Sequence, residues 1–94
     1  MAAKRACACH ILVNTQKEAE NLLEQLNKGT EFDKLARKHS TCPSGKSGGS
    51  LGEFDKGDMV KAFDEAVFKG PLLKVQGPIK TQFGWHLIKT LYRH

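Results

Sequence analysis

The spacing of apolar residues changes within the first thirty positions, and this change limits the folds that the chain can adopt. Residues 5–13, R-A-C-A-C-H-I-L-V, are mostly small or β-branched, which predicts a strand with Ala8, His10 and Leu12 on one face. Beyond Thr15, apolar residues recur at intervals of three and four, the pattern of a helix with one buried stripe. The chain therefore combines strand and helix from its beginning.

Capping signals predict where three helices begin. Thr15 followed by Glu18 is the arrangement of a capping box, in which the hydroxyl accepts a backbone hydrogen bond and the carboxylate reaches back. Threonine and aspartate are also favoured N-caps by themselves. The expected helices cover residues 15–29, residues 30–40 with Thr30 as the cap, and residues 59–68 with Asp58 as the cap and Gly70-Pro71 as the stop.

Three further strands are expected in the second half of the chain. Short runs at 51–54, 79–81 and 85–92 predict them, with Gly77-Pro78 as a turn and Gly84 in a tight hairpin between the last two. This order predicts an α+β fold in which helices surround a mostly antiparallel four-stranded sheet. His10 and His86 lie in strands at opposite ends of the chain, and we expect them to meet across a central strand pair.

Length and cysteine content indicate the class of protein. Ninety-four residues, 39% of them apolar, suit one domain, so we expect 1–94 to fold as a single unit. No segment has the apolar length of a leader or a membrane span. The three cysteines are an odd number, and Cys7 and Cys9 are too close in a strand for an easy disulfide. We expect a cytoplasmic monomer with reduced thiols and no membrane contact.

The charge balance favours loose contact with polyanions. Fifteen Lys and Arg residues against ten Asp and Glu residues give a net charge of +5. Such a charge attracts ribosomal RNA or acidic chains. The basic residues are scattered, however, and no exposed aromatic series accompanies them. The expectation is a solvated basic surface with at most weak contact to nucleic acid or the ribosome.

Residues 40–50, S-T-C-P-S-G-K-S-G-G-S, have the composition of an irregular loop. The segment is too short to separate two domains, because both flanks are needed for one core. We therefore interpret it as an active-site loop on a rigid scaffold. Its G-K-S-G-G stretch lacks the spacing of a phosphate-binding loop, so a nucleotide site is not expected.

A few residues near this loop could carry chemistry. They are His10, Cys42 and His86, with Met59, Phe63 and Phe83 as apolar neighbours. Either histidine could equally be a hydrogen-bonded core residue, and a Met/Phe pair at helical spacing usually packs against a sheet. A Cys42–histidine nucleophile pair is a further alternative, although no oxyanion-hole motif supports it. These alternatives stay open at the level of single residues.

A zinc site is the remaining alternative for the same region. Its ligands would come from Cys7, Cys9, His10, His39 and Cys42. A C-x-C sequence on a strand, however, lacks the C-x-x-C turn that is usual in structural zinc sites. Cys7 and Cys9 are more simply interpreted as small buried side chains, and we expect no metal.

Four segments together resemble the parvulin family of peptidyl-prolyl cis/trans isomerases. They are H-I-L-V at 10–13, G-G-S-L-G-E-F at 48–54, G-D-M-V-K-A-F at 57–63 and F-G-W-H-L-I-K at 83–89. The resemblance covers nearly the whole chain, and the length is similar to that of minimal bacterial members. It implies the parvulin (FKBP-like) fold, with four antiparallel strands and surrounding helices, and an isomerase that needs no cofactor.

The resemblance also implies roles for particular residues. His10 and His86 would be the paired active-site histidines, supported by a hydrogen bond from Thr81, and Cys42 would lie beside the rotating peptide bond. Some relatives carry Asp in place of this cysteine, which argues against a required thiol nucleophile. The implied proline pocket consists of Leu51, Met59, Phe63 and Phe83.

The expected substrates are proline-containing polypeptides without phosphate. Phosphate-specific parvulins carry a basic loop after their first strand, whereas Val13-Asn14-Thr15 leads directly into the first helix here. Lys17 alone cannot form a multi-arginine clamp. The alternative function is a non-catalytic peptide-binding or chaperone module on the same fold, which would hold proline segments without accelerating their rotation.

Overall fold

The computed structural model describes residues 3–94, and its helices and strands follow the predicted order. The elements are β1 (Arg5–Val13), α1 (Gln16–Asn27), α2 (Phe32–His39), β2 (Ser50–Asp55), α3 (Lys61–Lys69), β3 (Val75–Thr81) and β4 (Gly84–Arg93). One short 3-10 helix, Pro43–Ser47, lies in the segment that was predicted to be wholly irregular. None of the helices in this part of the chain is long and apolar enough to cross a membrane.

The four strands form one antiparallel sheet in the order β2-β1-β4-β3. The first and last strands of the chain are therefore the central pair, as predicted. His10 pairs with Ile88, and Leu12 pairs with His86. Paired residues project from the same face of a sheet, so the two histidines are diagonal neighbours on one face.

Helices cover both faces of the sheet and bury a separate apolar cluster on each. On one face, α1 and α2 pack through Leu22 and Leu35 against Ile11, Val13 and Leu87 of the central strands. On the other face, α3 contributes Phe63 and Val67 to a cluster with Ala6, Ala8, Phe54 and Ile88. Both histidines project toward α3, so this second face carries the candidate site.

Two of the three predicted helix caps are wrong. Thr15 does cap α1, since the backbone N–H of Glu18 donates to its Oγ1 at 3.2 Å, but the Glu18 carboxylate meets the Thr15 hydroxyl instead of a backbone N–H. The N-cap of α2 is Glu31, one residue after Thr30, and it makes no side-chain cap bond.

The predicted start of α3 is also wrong. Asp58 accepts a hydrogen bond from the backbone N–H of Asp55 at 2.9 Å, so its carboxylate stabilises the preceding turn. The helix begins at Lys61, two residues later than predicted, with Val60 as its N-cap. Met59 therefore lies in the connection before α3 and not on a helix with Phe63.

The strand predicted at 79–81 begins four residues earlier than expected. Gly77-Pro78, which was predicted as a turn, lies within β3 as a cis peptide bond where the pairing with β4 shifts between Gln76 and Ile79. β3 is an edge strand, where a proline without a backbone N–H is tolerated. The tight hairpin is confirmed, because Thr81 pairs directly with Gly84.

Candidate active site

A cavity of about 350 Å³ opens between the central strands, α3 and the 40–50 segment. Of the eight predicted site residues, all except Thr81 line this cavity. The seven are His10, Cys42, Leu51, Met59, Phe63, Phe83 and His86. These residues come from β1, β2, α3, β4 and three connections, so folding brings together side chains that are far apart in the sequence. Their side chains make the cavity mostly apolar.

The two histidines form the floor of this cavity and contact each other directly. Their Nδ1 atoms lie 3.0 Å apart, and their rings stack with centroids 5.2 Å apart. Phe63 presents its ring to both of them edge to face, at 5.4 Å from His10 and 5.3 Å from His86. Only 5% of the His10 surface and 3% of the His86 surface are exposed, so packing holds both rings in place.

Thr81 contacts the histidine pair through His86. Its Oγ1 lies 2.7 Å from His86 Nε2 and accepts from the backbone N–H of Phe83 at 3.1 Å. On the opposite side, His10 Nε2 lies 3.0 Å from the hydroxyl of Ser44, which donates to Cys42 Sγ at 3.2 Å. One continuous hydrogen-bonded chain therefore connects the hairpin to the 3-10 helix.

The direction of donation along this chain assigns the histidine tautomers. Because Ser44 donates to sulfur, its oxygen accepts from His10, which places the His10 proton on Nε2. His10 Nδ1 is then an acceptor, so His86 donates from Nδ1 and accepts from Thr81 at Nε2. Each imidazole needs only one proton, and both rings are neutral in this arrangement.

Burial reinforces the neutral state of both rings. Removal from water, together with a smaller effect of the neighbouring His86, lowers the pKa of His10 from 6.5 to about 4. Burial also lowers the pKa of His86. At neutral pH the pair therefore acts as a fixed set of dipoles and not as a charged acid.

Cys42 is half-buried in the cavity wall and has a free thiol. In the described part of the chain its hydrogen-bond partner is Ser44, which separates the sulfur from His10. A nucleophile with an adjacent base would need a direct contact between thiol and imidazole. The geometry thus does not support the thiol-nucleophile alternative.

The zinc alternative is likewise unsupported. Within residues 3–94, no three His, Cys, Asp or Glu side chains form a group that could hold a metal ion. Cys7 and Cys9 are half-buried thiols on β1. They project from the face opposite to His10, because alternate residues of a strand point to opposite sides.

The position of His10 also depends on Gly49. The φ of Gly49, +86°, is in the left-handed region, and a Cβ added to Gly49 would lie 2.4 Å from the His10 carbonyl oxygen. The same two residues share a backbone hydrogen bond of 2.9 Å from His10 N–H to the Gly49 carbonyl. Glycine at this position lets the 40–50 segment lie directly against β1.

Ser44 hydrogen-bonds His10 at the site and was not among the residues predicted from the sequence. It is one of four serines in residues 40–50, and no local pattern distinguishes it from the others. Leu12, Thr41, Pro43 and Val60 also line the cavity without having been predicted. Of these, only Leu12 had a signal, because strand alternation places it on the face of His10.

Comparison with known proteins identifies the family. A model of the PPIC-type PPIASE domain matches residues 4–94. The chain belongs to this family. Its fold is similar to the solution structure of NmPin, the parvulin of Nitrosopumilus maritimus, at 42% identity and a TM-score of 0.85, with 98% of this chain and 100% of that chain covered. Pin of Cenarcheaum symbiosum is 44% identical, with a TM-score of 0.82 over 98% and 95% of the two chains.

Longer relatives carry a similar domain. The foldase protein PrsA of Geobacillus kaustophilus is 46% identical over 83 residues, which cover 87% of this chain and 30% of that protein. The chain therefore spans about 30% of the length of the foldases it matches. The predicted parvulin fold and peptidyl-prolyl isomerase class are confirmed, and the non-catalytic alternative is not favoured. The roles of individual residues stay predictions.

Proposed function

We propose that this parvulin domain accelerates rotation about X-Pro bonds in exposed polypeptide segments without requiring phosphate. The observation that carries the proposal is the apolar cavity beside the neutral histidine pair. A pyrrolidine ring is apolar and compact, and Leu51, Met59 and Phe83 offer it a matching surface. Polypeptide substrates agree with the foldase relatives.

The reaction requires rotation and no bond cleavage. The barrier of about 18–20 kcal/mol arises because twisting the amide removes its resonance. An apolar site disfavours the charge-separated planar amide relative to the twisted one, in which the nitrogen is less conjugated. Each ~1.4 kcal/mol of such differential stabilisation increases the rate about tenfold. The cavity would hold the ring while the carbonyl side rotates.

The histidine pair would act by orientation and electrostatics. Both rings are buried, neutral and fixed by hydrogen bonds at every ring nitrogen. Such preorganised dipoles can favour one charge distribution without reorganising during the reaction. A general acid at neutral pH would need a higher pKa than about 4 for His10.

Cys42 would shape the cavity wall and end the hydrogen-bonded chain. Serine is slightly smaller and also accepts a hydrogen bond from Ser44. We therefore expect Cys42→Ser to keep most of the kcat/KM, measured on an X-Pro peptide. Complete loss of activity in a folded Cys42→Ser protein would instead support an essential thiol.

The absence of a phosphate requirement is tested with matched peptides. A Ser-Pro peptide, its phosphorylated form and a Leu-Pro peptide would be compared by NMR exchange spectroscopy without a coupled protease. We expect acceleration of both unphosphorylated peptides, because Val13-Asn14-Thr15 leads directly into α1 and leaves no basic loop after β1 that could clamp a phosphate. Acceleration confined to the phosphorylated peptide would contradict the proposal.

The cavity itself is tested with a matched pair of leucines. Leu51 lines the cavity, whereas Leu72 lies in the connection after α3 and is exposed. Removing an apolar contact of about 1–2 kcal/mol from the bound proline should lower kcat/KM about tenfold in Leu51→Ala. Leu72→Ala should keep wild-type activity. Equal activities in the two folded variants would argue against this cavity as the site.

We further propose a cytoplasmic location. The free thiols of Cys7, Cys9 and Cys42 suit a reducing compartment. Fractionation of the native host with an antibody to this chain should find the protein in the cytosol. Recovery from a secreted or envelope fraction would contradict the proposal.

We also propose that the domain is monomeric and binds nucleic acid or ribosomes only weakly. Its net charge is +5, but the basic residues are spread along the chain. Light scattering should give the mass of one chain, and any binding to a single-stranded RNA should disappear as salt is raised. A stable dimer, or tight RNA binding at physiological salt, would contradict these expectations.

A further inference from the structure

A second cavity adjoins the active-site cavity, which we propose binds the proline and call the proline cavity. It has a volume of about 350 Å³ and shares Thr41, Cys42 and Pro43 with the proline cavity. Its remaining walls are Arg37, Ser40, Gly45 and Lys46. A peptide held by its proline would therefore pass close to this second cavity, which we call the Arg37–Lys46 cavity.

The lining of the Arg37–Lys46 cavity is cationic. Arg37 belongs to the last turn of α2 and Lys46 to the 3-10 helix, and both are exposed. Neither forms an ion pair with another described residue. By contrast, Lys28 pairs with Glu24 and Lys34 pairs with Glu31. The described residues that line this cavity include no carboxylate.

A hydroxyl adds a neutral donor to the same cavity. Ser40 Oγ accepts from the backbone N–H of Leu12 at 3.1 Å, which leaves the hydroxyl proton for a second partner. The Thr41 hydroxyl, by contrast, donates to the Leu12 carbonyl at 3.3 Å. A guanidinium, an ammonium and a free O–H donor together match the oxygen atoms of a carboxylate.

The position of basic residues at the end of α2 has a simpler explanation as well. Arg37, Lys38 and His39 all lie in its last turn, where cations interact favourably with the helix dipole. That explanation does not distinguish Arg37 from its neighbours. It also does not account for Lys46, which approaches the same cavity from a different element.

We infer that the Arg37–Lys46 cavity is a specificity subsite that binds an acidic side chain of the substrate polypeptide close to the proline. The inference rests on the proposed function, because the proline cavity must hold the X-Pro bond. Consecutive extended residues advance about 3.3 Å each, so a cavity with a shared wall is reached within about three residues. The subsite adds preference for acidic segments and is not required for turnover.

The test compares acidic and neutral peptides with one X-Pro bond. Asp would be placed at each of the three positions on either side of a Leu-Pro pair, with Asn at the same position as the neutral match. At low salt we expect at least one position where kcat/KM for Asp exceeds that for Asn about fivefold, the order expected for two exposed ion pairs. Raising the salt to about 0.5 M should abolish this ratio.

The double variant Arg37→Gln/Lys46→Gln should reduce the Asp-to-Asn ratio to about one. Its matched control is Lys38→Gln/Lys56→Gln, which removes the same charge from residues that do not line the cavity and should keep the wild-type ratio. The inference is overturned if wild type has no acidic preference at any position. It is also overturned if the double variant keeps the preference or the control loses it equally.

Failure of the subsite and failure of the proposed function give different results. If wild type accelerates no peptide, the proposed function fails. The subsite can still be tested by NMR titration of the same variants, because the ratio of the Kd values for the Asn and Asp peptides measures the acidic preference without turnover. An RNA oligonucleotide that binds through Arg37 and Lys46, without any preference among peptides, would overturn the inference in favour of a nucleic-acid contact.

Discussion

Acidification should destabilise this fold through the histidine pair. His10 is buried and neutral, with its pKa lowered from 6.5 to about 4, because removal from water disfavours the charged ring. The unfolded chain binds a proton near pH 6.5, whereas the folded chain does not until about pH 4. The unfolded state therefore binds more protons in this interval, and the free energy of unfolding decreases as the pH falls through it.

The magnitude follows from the difference between these two pKa values. One pKa unit corresponds to about 1.4 kcal/mol, so His10 alone should lower the free energy of unfolding by about 2 kcal/mol between pH 7 and pH 5. His86, whose pKa burial also lowers, contributes with the same sign. A loss of this size is a large part of the stability of a small domain.

Urea unfolding followed by circular dichroism at pH 7 and pH 5 measures this loss. His10→Asn should reduce the difference in the free energy of unfolding between pH 7 and pH 5. His39→Asn, which removes an exposed histidine outside the active-site cavity, should keep this difference. A free energy of unfolding that is equal or higher at pH 5 in wild type would refute the reasoning. An unchanged pH dependence in folded His10→Asn would refute its assignment to His10.

Three further substitutions test the packing around the site. Thr90→Val should raise the free energy of unfolding by about 1 kcal/mol in urea titrations, because the buried Thr90 Oγ1 has no hydrogen-bond partner in the described structure. A lower free energy of unfolding in the variant would contradict this reason. Gly49→Ala should cost about 2 kcal/mol or more by the same measurement, since its Cβ would meet the His10 carbonyl. Arg93→Met should lower the melting temperature, because Arg93 donates to two carbonyls at the end of α3 at 3.0 and 2.7 Å; an unchanged value would show that these bonds are not stabilising.

The element order and the central histidine pair could be predicted because both follow from local patterns. The alternation of side chains along a strand predicted the face of β1 on which His10 lies. The pairing of the first and last strands at the centre of the sheet was expected to bring His10 and His86 together. Residue-level spacing could not distinguish a catalytic histidine from a core histidine. The resemblance to parvulins implies an active-site role for both histidines, and the cavity brings seven of the eight implied residues together.

In each failure, a hydrogen-bond or pairing partner that the local sequence pattern does not reveal decides where the residue lies. Aspartate is a favoured helix cap, but the carboxylate of Asp58 accepts a hydrogen bond from the backbone N–H of Asp55 instead of capping α3. Gly77-Pro78 has the composition of a turn, yet pairing with β4 incorporates it into an edge strand. Ser44 hydrogen-bonds a histidine 34 positions away, and no local pattern predicts that contact.

The most direct test of the proposed function is the rate of cis/trans exchange of an unphosphorylated Leu-Pro peptide with wild type and Phe83→Ala. Phe83 lines the cavity but is 59% exposed, so its truncation removes a wall with little loss of core packing. We predict that wild type accelerates exchange and that the folded variant does so at least about tenfold less well. Wild type that accelerates no X-Pro peptide, or a variant as active as wild type, would contradict the proposed use of this cavity.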